Sequence, residues 1–273
     1  MACRRSTSRN PKRKCIDMVA AAFSNNIWPL PPEIIELNDN EVHVWMIPTL
    51  GDDSGSEKFI ELLSADERQR AARFKFDKDR RLYVAAHAGL RSLLADYVRV
   101  SAHEIDFVAG AHGKPLLAQP GTSGLEFNLS HSHELALIVV ARGKAVGVDV
   151  EFVKKDFAFG DLARRFFTAA EVAALFELPP ALQRKAFFKC WTSKEAFLKA
   201  KATGLSGKLD EVQIVLTHDG FVRIDANVPG WSLAELIQGD GYEAALVVEG
   251  DALPIRCYRW DPVLNGSLTC ASY

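Results

Sequence analysis

The sequence predicts an α+β protein built from two similar halves, and three observations carry that expectation. An order of strand, short helix, long helix and paired strands occurs twice along the chain. Ser or Thr followed three residues later by Glu, a helix-opening signature, stands shortly before each long helix. The strands gather in runs and do not alternate with helices, which argues against βαβ units. The similarity is architectural, with no strong repeat of residues. Halves of roughly 110 residues each suit a chain of 273 residues, given about 150 residues per domain. A site between such halves would be a natural cleft.

The elements follow in order. After Pro29-Leu30-Pro31-Pro32, residues 41–47 (EVHVWMI) read as a strand from their β-branched content and partial alternation. Ser64-Ala65-Asp66-Glu67 opens a short helix. Residues 78–98 place Leu82, Ala85, Ala86, Leu90, Leu93, Leu94 and Tyr97 at helical spacing, with Arg80, Arg81 and Arg91 expected away from that stripe. Strands at 125–130 and 134–141 close the first half, and 145–151 (AVGVDVE) opens the second. Thr168-Ala169-Ala170-Glu171 repeats the capping signature ahead of a long helix at 180–202. Strands near 211–216, 221–226, 231–237, 242–249 and 255–260 follow, separated by turns such as Asp219-Gly220 and Gly239-Asp240-Gly241. The expected division is a disordered basic tail and lead-in segment over 1–38, a first α+β half over 39–143 and a second over 144–273.

Composition narrows the function classes. With 48% hydrophobic and 25% charged residues the chain is that of a globular protein with a sizeable core. A formal net charge of −2 is too balanced for wholesale nucleic-acid or membrane-surface binding. Six basic side chains and no acid fall within residues 1–15, which leaves 27 basic against 35 acidic residues, a net of −8, in the rest. That tail reads as disordered. Ile16 to Phe23 is interrupted by Asp17, so no secretory apolar core follows it, and Met18 is a second plausible start. Five scattered cysteines without a C-x-x-C pattern argue against zinc and against a disulfide framework. A reducing cytoplasm, a monomer, and no nucleic-acid or membrane partner are the expectations.

Three clusters could carry chemistry. In Gly147-Val148-Asp149-Val150-Glu151, strand period 2 puts Asp149 and Glu151 on one face, where hard oxygen ligands with room for waters and a phosphate suit Mg²⁺. Taken alone, two solvated acids at a strand end are the commoner meaning. In Trp191-Thr192-Ser193-Lys194-Glu195-Ala196-Phe197-Leu198-Lys199, helical spacing aligns Trp191, Glu195 and Lys199, which alone could be a surface ion pair beside an aromatic ring. Gly113-Lys114-Pro115 and Asn128-Leu129-Ser130-His131-Ser132 supply a cation, hydroxyls and an imidazole suited to phosphate oxygens.

In this order the clusters change the odds. G-K-P, N-L-S-H-S, G-V-D-V-E and W-x-x-K-E-A-x-x-K, together with Arg164-Arg165-Phe166-Phe167-Thr168-Ala169-Ala170-Glu171, resemble the 4′-phosphopantetheinyl transferases of the larger, Sfp-type branch over roughly residues 58–250. The resemblance implies a pseudo-twofold pair of α+β halves with coenzyme A and Mg²⁺ in the cleft. It implies transfer of the phosphopantetheine arm to a serine hydroxyl of an acyl or peptidyl carrier protein, with release of adenosine 3′,5′-bisphosphate. Carried over by motif, Asp149, Glu151 and Glu195 would hold Mg²⁺, Lys194 and Lys199 would face phosphate oxygens, and Lys114, Ser130 and His131 would contact coenzyme A phosphates. Glu195 would be the general base, directly or through a water, and Lys199 would protonate or neutralise the leaving phosphate. Residues 64–74 resemble the family's basic first helix, but Glu67 stands at a customary lysine, which leaves Arg70 and Arg80 as candidates for the 3′-phosphate. Carrier docking is expected on Lys154, Lys155, Arg164, Arg165, Phe157 and Phe159. A metal-dependent phosphatase or nuclease, and a silent carrier-binding module, are the competing classes. The silent module would have lost the acidic triad or the helix lysine, and this chain keeps both.

Overall fold

The computed structural model describes residues 28–49, 56–118, 124–203, 212–218, 222–226, 228–236 and 241–261. The basic tail expected over residues 1–15 lies outside them. Of the lead-in segment, residues 28–38 are described, with Trp28 and Leu37 buried and Pro29 O accepting from Arg259 N at 2.9 Å.

The first half runs β1 (Val42–Pro48), α1 (Ser56–Leu62), α2 (Ala65–Ala71), α3 (Asp77–Val98), β2 (Phe107–Ala109), β3 (Pro115–Leu117), β4 (Leu125–Ser132) and β5 (Leu135–Arg142). The second runs β6 (Val146–Phe152), α4 (Gly160–Phe166), α5 (Ala169–Glu177), α6 (Pro180–Lys201), β7 (Ile214–His218), β8 (Val222–Ala226), β9 (Trp231–Leu236), β10 (Tyr242–Glu249) and β11 (Ile255–Arg259). The chain is thus a mixed α+β protein. In the first sheet β1, β5 and β4 lie side by side, antiparallel throughout, and in the second β6, β10 and β9 repeat that order and sense. Each half also carries a two-stranded hairpin, β2–β3 and β7–β8. The strand read near 255–260 crosses the expected division at 143/144: β11 runs parallel to β1 and adds a fourth strand to the first sheet.

Burial follows the strand period. In β5, Ala136, Ile138 and Val140 join the core under α3, while Leu135, Leu137, Val139 and Ala141 join a second core shared with Val146, Val148 and Val150 of β6 and Leu246 of β10. Both faces of β5 are therefore covered, which accounts for its continuous apolar run. The opposite face of the second sheet packs on α6 through Ala245 and Val247 against Ala196 and Ala200.

One expectation on α3 is corrected. Arg91 does not face away from the core but is 4% exposed, donating through Nε to Glu67 Oε2 (2.6 Å) and through Nη1 to Ile105 O (2.7 Å). Glu67 is the N3 residue of the α2 capping box closed with Ser64, so the same carboxylate caps one helix and neutralises a buried cation of the next. Burial would raise the Glu67 carboxyl, but hydrogen bonds from His87, Ser64 N and Arg91 outweigh it and hold it at about 2. The acid at the customary lysine position is thus a structural anchor.

Candidate active site

The site lies where β4 meets β6. These strands belong to different sheets, and side chains bridge them. Val148 N donates to Asn128 Oδ1 (3.0 Å), Val150 N to Ser130 Oγ (3.3 Å) and Phe152 N to Ser132 Oγ (3.1 Å). Strand period 2 explains why residues 128, 130 and 132 are the polar ones: they form one edge-facing row that satisfies alternate N–H groups of β6. Two of the hydroxyls then donate onward, Ser130 Oγ to Asp149 Oδ1 and Ser132 Oγ to Glu151 Oε2, each at 2.8 Å.

The glycine of G-V-D-V-E has its own reason. A Cβ on Gly147 would stand 2.0 Å from Ala196 O and 2.4 Å from Ala200 N, so α6 rests on the bare backbone of β6. That approach brings α6 against the face of β6 that bears Asp149. Lys199 Nζ donates to Asp149 Oδ1 (2.6 Å) and Ser130 Oγ (2.9 Å), and its side chain keeps 28% of its surface. Burial first, then repulsion from Asp149, raises the carboxyls of Glu151 and Glu195, with Lys199 opposing both shifts. Asp149 Oδ2 and Glu195 Oε1 are buried without a hydrogen-bond partner among the described residues.

Those two orphaned oxygens test the fit of a divalent cation. Among the described residues no three His, Cys, Asp or Glu groups form a ready metal cage, so the predicted triad is not a closed protein-only site. Mg²⁺ is commonly held by one or two carboxylates completed by substrate phosphates and water, and two buried, unpaired carboxylate oxygens beside a third acid suit that pattern.

The predicted phosphate contacts divide. His131 alternates with the row of Asn128, Ser130 and Ser132 on β4, its ring held below the usual imidazole range by burial and by the charges of His87, Lys199 and Arg70. Arg70 is exposed, with its guanidinium 5.5 Å from the Tyr83 ring centroid. Arg80 is exposed at the start of α3, 3.7 Å from Asp77. Lys114 donates to Val146 O (3.0 Å) at the start of β6, with Glu126 at 4.0 Å, and burial lowers its ammonium despite that acid. Lys194 is a correction: it is 0% exposed and bonds Glu171 Oε1 (2.9 Å) and Val212 O (2.6 Å), so its ammonium faces the protein interior and not a phosphate. Phe157 and Phe159 turn into an aromatic cluster around Phe187 and form no open apolar patch. Lys154 and Lys155 are exposed, while Arg164 pairs with Asp161 at 3.3 Å.

Two side chains had no role assigned from the sequence. Asn128 and Ser132 lie in a quoted motif, and their alternation with Ser130 was the available signal. A cavity of about 350 Å³ lined by Pro32, Ile34, Ile35, Glu36, His43 and Tyr258 shares no residue with this cluster.

Comparison with known proteins agrees with this geometry. The model of the 4′-phosphopantetheinyl transferase superfamily matches residues 145–247, and that of the 4′-phosphopantetheinyl transferase N-terminal region matches 53–143. The 4′-phosphopantetheinyl transferase HetI of Nostoc is 39% identical over 235 residues, 86% of this chain and 95% of its own length. The psf-1 transferase of Bacillus pumilus is 33% identical over 62% of this chain and 72% of its own, and Sfp of Bacillus subtilis is 28% identical over 62% and 74%. Between them the matched regions include the strands and helices that bring Ser130, Asp149, Glu195 and Lys199 together, and the chain belongs to the 4′-phosphopantetheinyl transferases, in their Sfp-type branch.

Proposed function

We propose that the chain transfers the 4′-phosphopantetheine arm of coenzyme A to a serine hydroxyl of an apo acyl or peptidyl carrier protein and releases adenosine 3′,5′-bisphosphate. The observation that supports this best is Lys199 Nζ, partly exposed and seated between Ser130 and Asp149, next to the orphaned oxygens of Asp149 and Glu195. A cation beside unsatisfied acids is what a pyrophosphate and its divalent counterion require.

Asp149 and Glu195 would hold Mg²⁺ through those oxygens, with Glu151 beside them fixed by Ser132. When bound, the metal supplies neutralising charge to the pyrophosphate. The work of the chain's own groups is positional. Arg70 and Lys199 form the cationic side that receives phosphate oxygens of coenzyme A, the His131 ring adds a hydrogen-bond donor, Lys114 just before β3 and Ser130 of β4 brace it, and Arg80 is a further contact for the 3′-phosphate. The carrier serine oxygen forms a bond to the phosphorus that bears the pantetheine arm, and the bond from that phosphorus to the bridging oxygen breaks. Glu195, directly or through a water, accepts the serine proton. Lys199 neutralises the leaving phosphate.

In this reading the two halves, divided near 143/144 and related by a pseudo-twofold, enclose the site in their cleft. The protein works as a cytoplasmic monomer without nucleic-acid or membrane partners. Among the described residues no helix is long and apolar enough to cross a membrane. Carrier docking falls to exposed Lys154 and Lys155 with Arg164 and Arg165 near the start of α4 and in its last turn. Charge reversal of Lys154 and Lys155 should raise the carrier KM and flatten its salt dependence, with the coenzyme A KM unchanged. An unchanged carrier KM at low salt places docking elsewhere. The function is tested by incubation with coenzyme A, Mg²⁺ and a panel of apo carriers, reading intact mass: one phosphopantetheine gained on at least one carrier supports it, and no gain on any carrier contradicts it.

A further inference from the structure

Lys194 belongs to the W-x-x-K-E-A-x-x-K motif, yet it reaches neither the cleft nor a phosphate site. Its ammonium bonds Glu171 Oε1 and Val212 O and lies 5.6 Å from the Phe167 ring centroid. Glu171 carries three donors. Its Oε2 accepts Thr168 N (2.7 Å), closing the α5 capping box, and its Oε1 accepts Ile214 N (2.8 Å) as well as the ammonium. A Gln could not accept all three with both terminal atoms, so a carboxylate is required. One buried pair thus ties α6 to the start of α5 and to β7.

The adjacent residue is Glu195. Consecutive helical residues project about 100° apart, so the direction in which Lys194 is pulled fixes where Glu195 points. The helix needs such a fix here. Thr192 Oγ1 donates back to Phe188 O (3.0 Å) and Ser193 Oγ to Lys189 O (2.7 Å), a bonding pattern that loosens and bends helices. The contact with Gly147 sets how close α6 approaches β6, and Lys194 sets its rotation.

The first half contains the same device. Arg91 and Lys194 are each the fifteenth residue of a 22-residue helix. Each meets the N3 Glu of the capping box on a preceding short helix and a backbone carbonyl two residues before the next strand, Ile105 or Val212. Each also stands over a Phe ring, Arg91 5.4 Å from Phe107. A lock present in both halves, with the acidic site beside only one, points to a scaffold role.

We infer that Lys194 and Glu171 are positioning residues for the transfer reaction: their buried pair holds α6 in the rotation that turns Glu195 and Lys199 toward Asp149. The inference rests on the transferase reading above. Its test compares Lys194→Met, Glu171→Asp and the double variant Lys194→Met/Glu171→Gln with wild type, measuring melting temperature and, with coenzyme A and an apo carrier accepted by wild type, kcat and KM. Glu171→Asp keeps the charge and shortens its reach by one methylene, so it reports even if the Met variant does not fold. The expected result is at least a tenfold loss of kcat in each folded variant, with the coenzyme A KM within about twofold of wild type. The double variant, with its charges neutralised together, should melt above Lys194→Met without recovering kcat. Recovery of kcat in step with melting temperature, or wild-type kcat in folded Glu171→Asp, overturns the inference. A raised coenzyme A KM at unchanged kcat also overturns it, in favour of a phosphate contact. Wild-type inactivity on every carrier would instead remove the transferase reading.

Discussion

α3 and α6 are both 22 residues long, both end on a residue in the left-handed region, Arg99 and Ala202, and both carry a buried cation at the fifteenth position. From there they diverge. After Arg91 comes Ser92, 2% exposed, where after Lys194 comes Glu195, and five residues on Asp96 stands where α6 has Lys199. The strands beneath differ in the same way. The fourth and sixth residues of β1 are Trp45 and Ile47, both 0% exposed, and Ile47 fills the space over Gly89 of α3. In β6 those positions are Asp149 and Glu151. One scaffold is closed by apolar packing in the first half and opened by charge in the second. On the proposed function the chemistry would sit where the second half carries carboxylates at positions that are apolar in the first, and their mutual repulsion favours a counter-charge.

The largest effect should come from removing that charge. Glu195→Gln keeps size and helix propensity, so its melting temperature should stay near wild type while the transfer rate falls by about 10²–10⁴. Asp149→Asn should behave alike, since Asn can still accept from Ser130 and Lys199 through its carbonyl. A variant of either kind with near wild-type rate would place the chemistry elsewhere.

Close helix approach is the next point at which the halves can be separated. Gly147→Ala forces a methyl into Ala196 O and Ala200 N and should cost about 1–3 kcal/mol or more by thermal melting. In the first half the nearest neighbour of a Cβ on Gly89 is a movable side-chain end, Ile47 Cδ1 at 3.1 Å, so Gly89→Ala should cost less. Equal losses would show that backbone contact at β6 is not what seats α6.

The lock of the first half has a pH signature. Glu67 is held at about 2 in the fold against 4.5 ordinarily, so its stabilisation is complete above about pH 4.5 and is lost as pH falls through about 2. Replacing it by Gln should lower the melting temperature at pH 7 and shrink the difference from wild type at pH 3. A difference independent of pH would deny the charged contact. Asp96 has the opposite sign. Burial pushes its carboxyl up to about 6, and its Oδ2 is buried with no partner among the described residues, so it weakens the fold increasingly as pH rises from about 4 to 6 and by a constant amount above. Asp96→Asn should raise the melting temperature by a few degrees at pH 8 and little at pH 4.

Much of this was legible in the sequence because the patterns were local. Both long helices and both capping boxes lie within a residue or two of where the spacing puts them, since periodicity and an N-cap signature need no tertiary information. β2 and β3 were missed because three-residue strands carry no period to read. The place of β11 beside β1 is a long-range pairing that alternation cannot report. Arg91 was misread because a cation on a helix normally faces water, whereas Lys194 was assigned to phosphate oxygens by motif carry-over from the resemblance. The available signal was position: Lys194 falls between Phe187, Cys190, Phe197 and Leu198 on the buried stripe of α6. Spacing placed Asp149 with Glu151 on one strand face and Glu195 with Lys199 on one helix face, while their union in one site was carried over from the resemblance.

The central claim, that the acidic face of the second half transfers phosphopantetheine, is tested most directly by intact-mass analysis of an apo carrier that wild type modifies, incubated with coenzyme A and Mg²⁺ alongside Glu195→Gln at matched, folded concentrations. The account predicts a single phosphopantetheine on the carrier with wild type and a rate lower by at least 10² with Glu195→Gln. Equal rates of mass gain from the two proteins would contradict it.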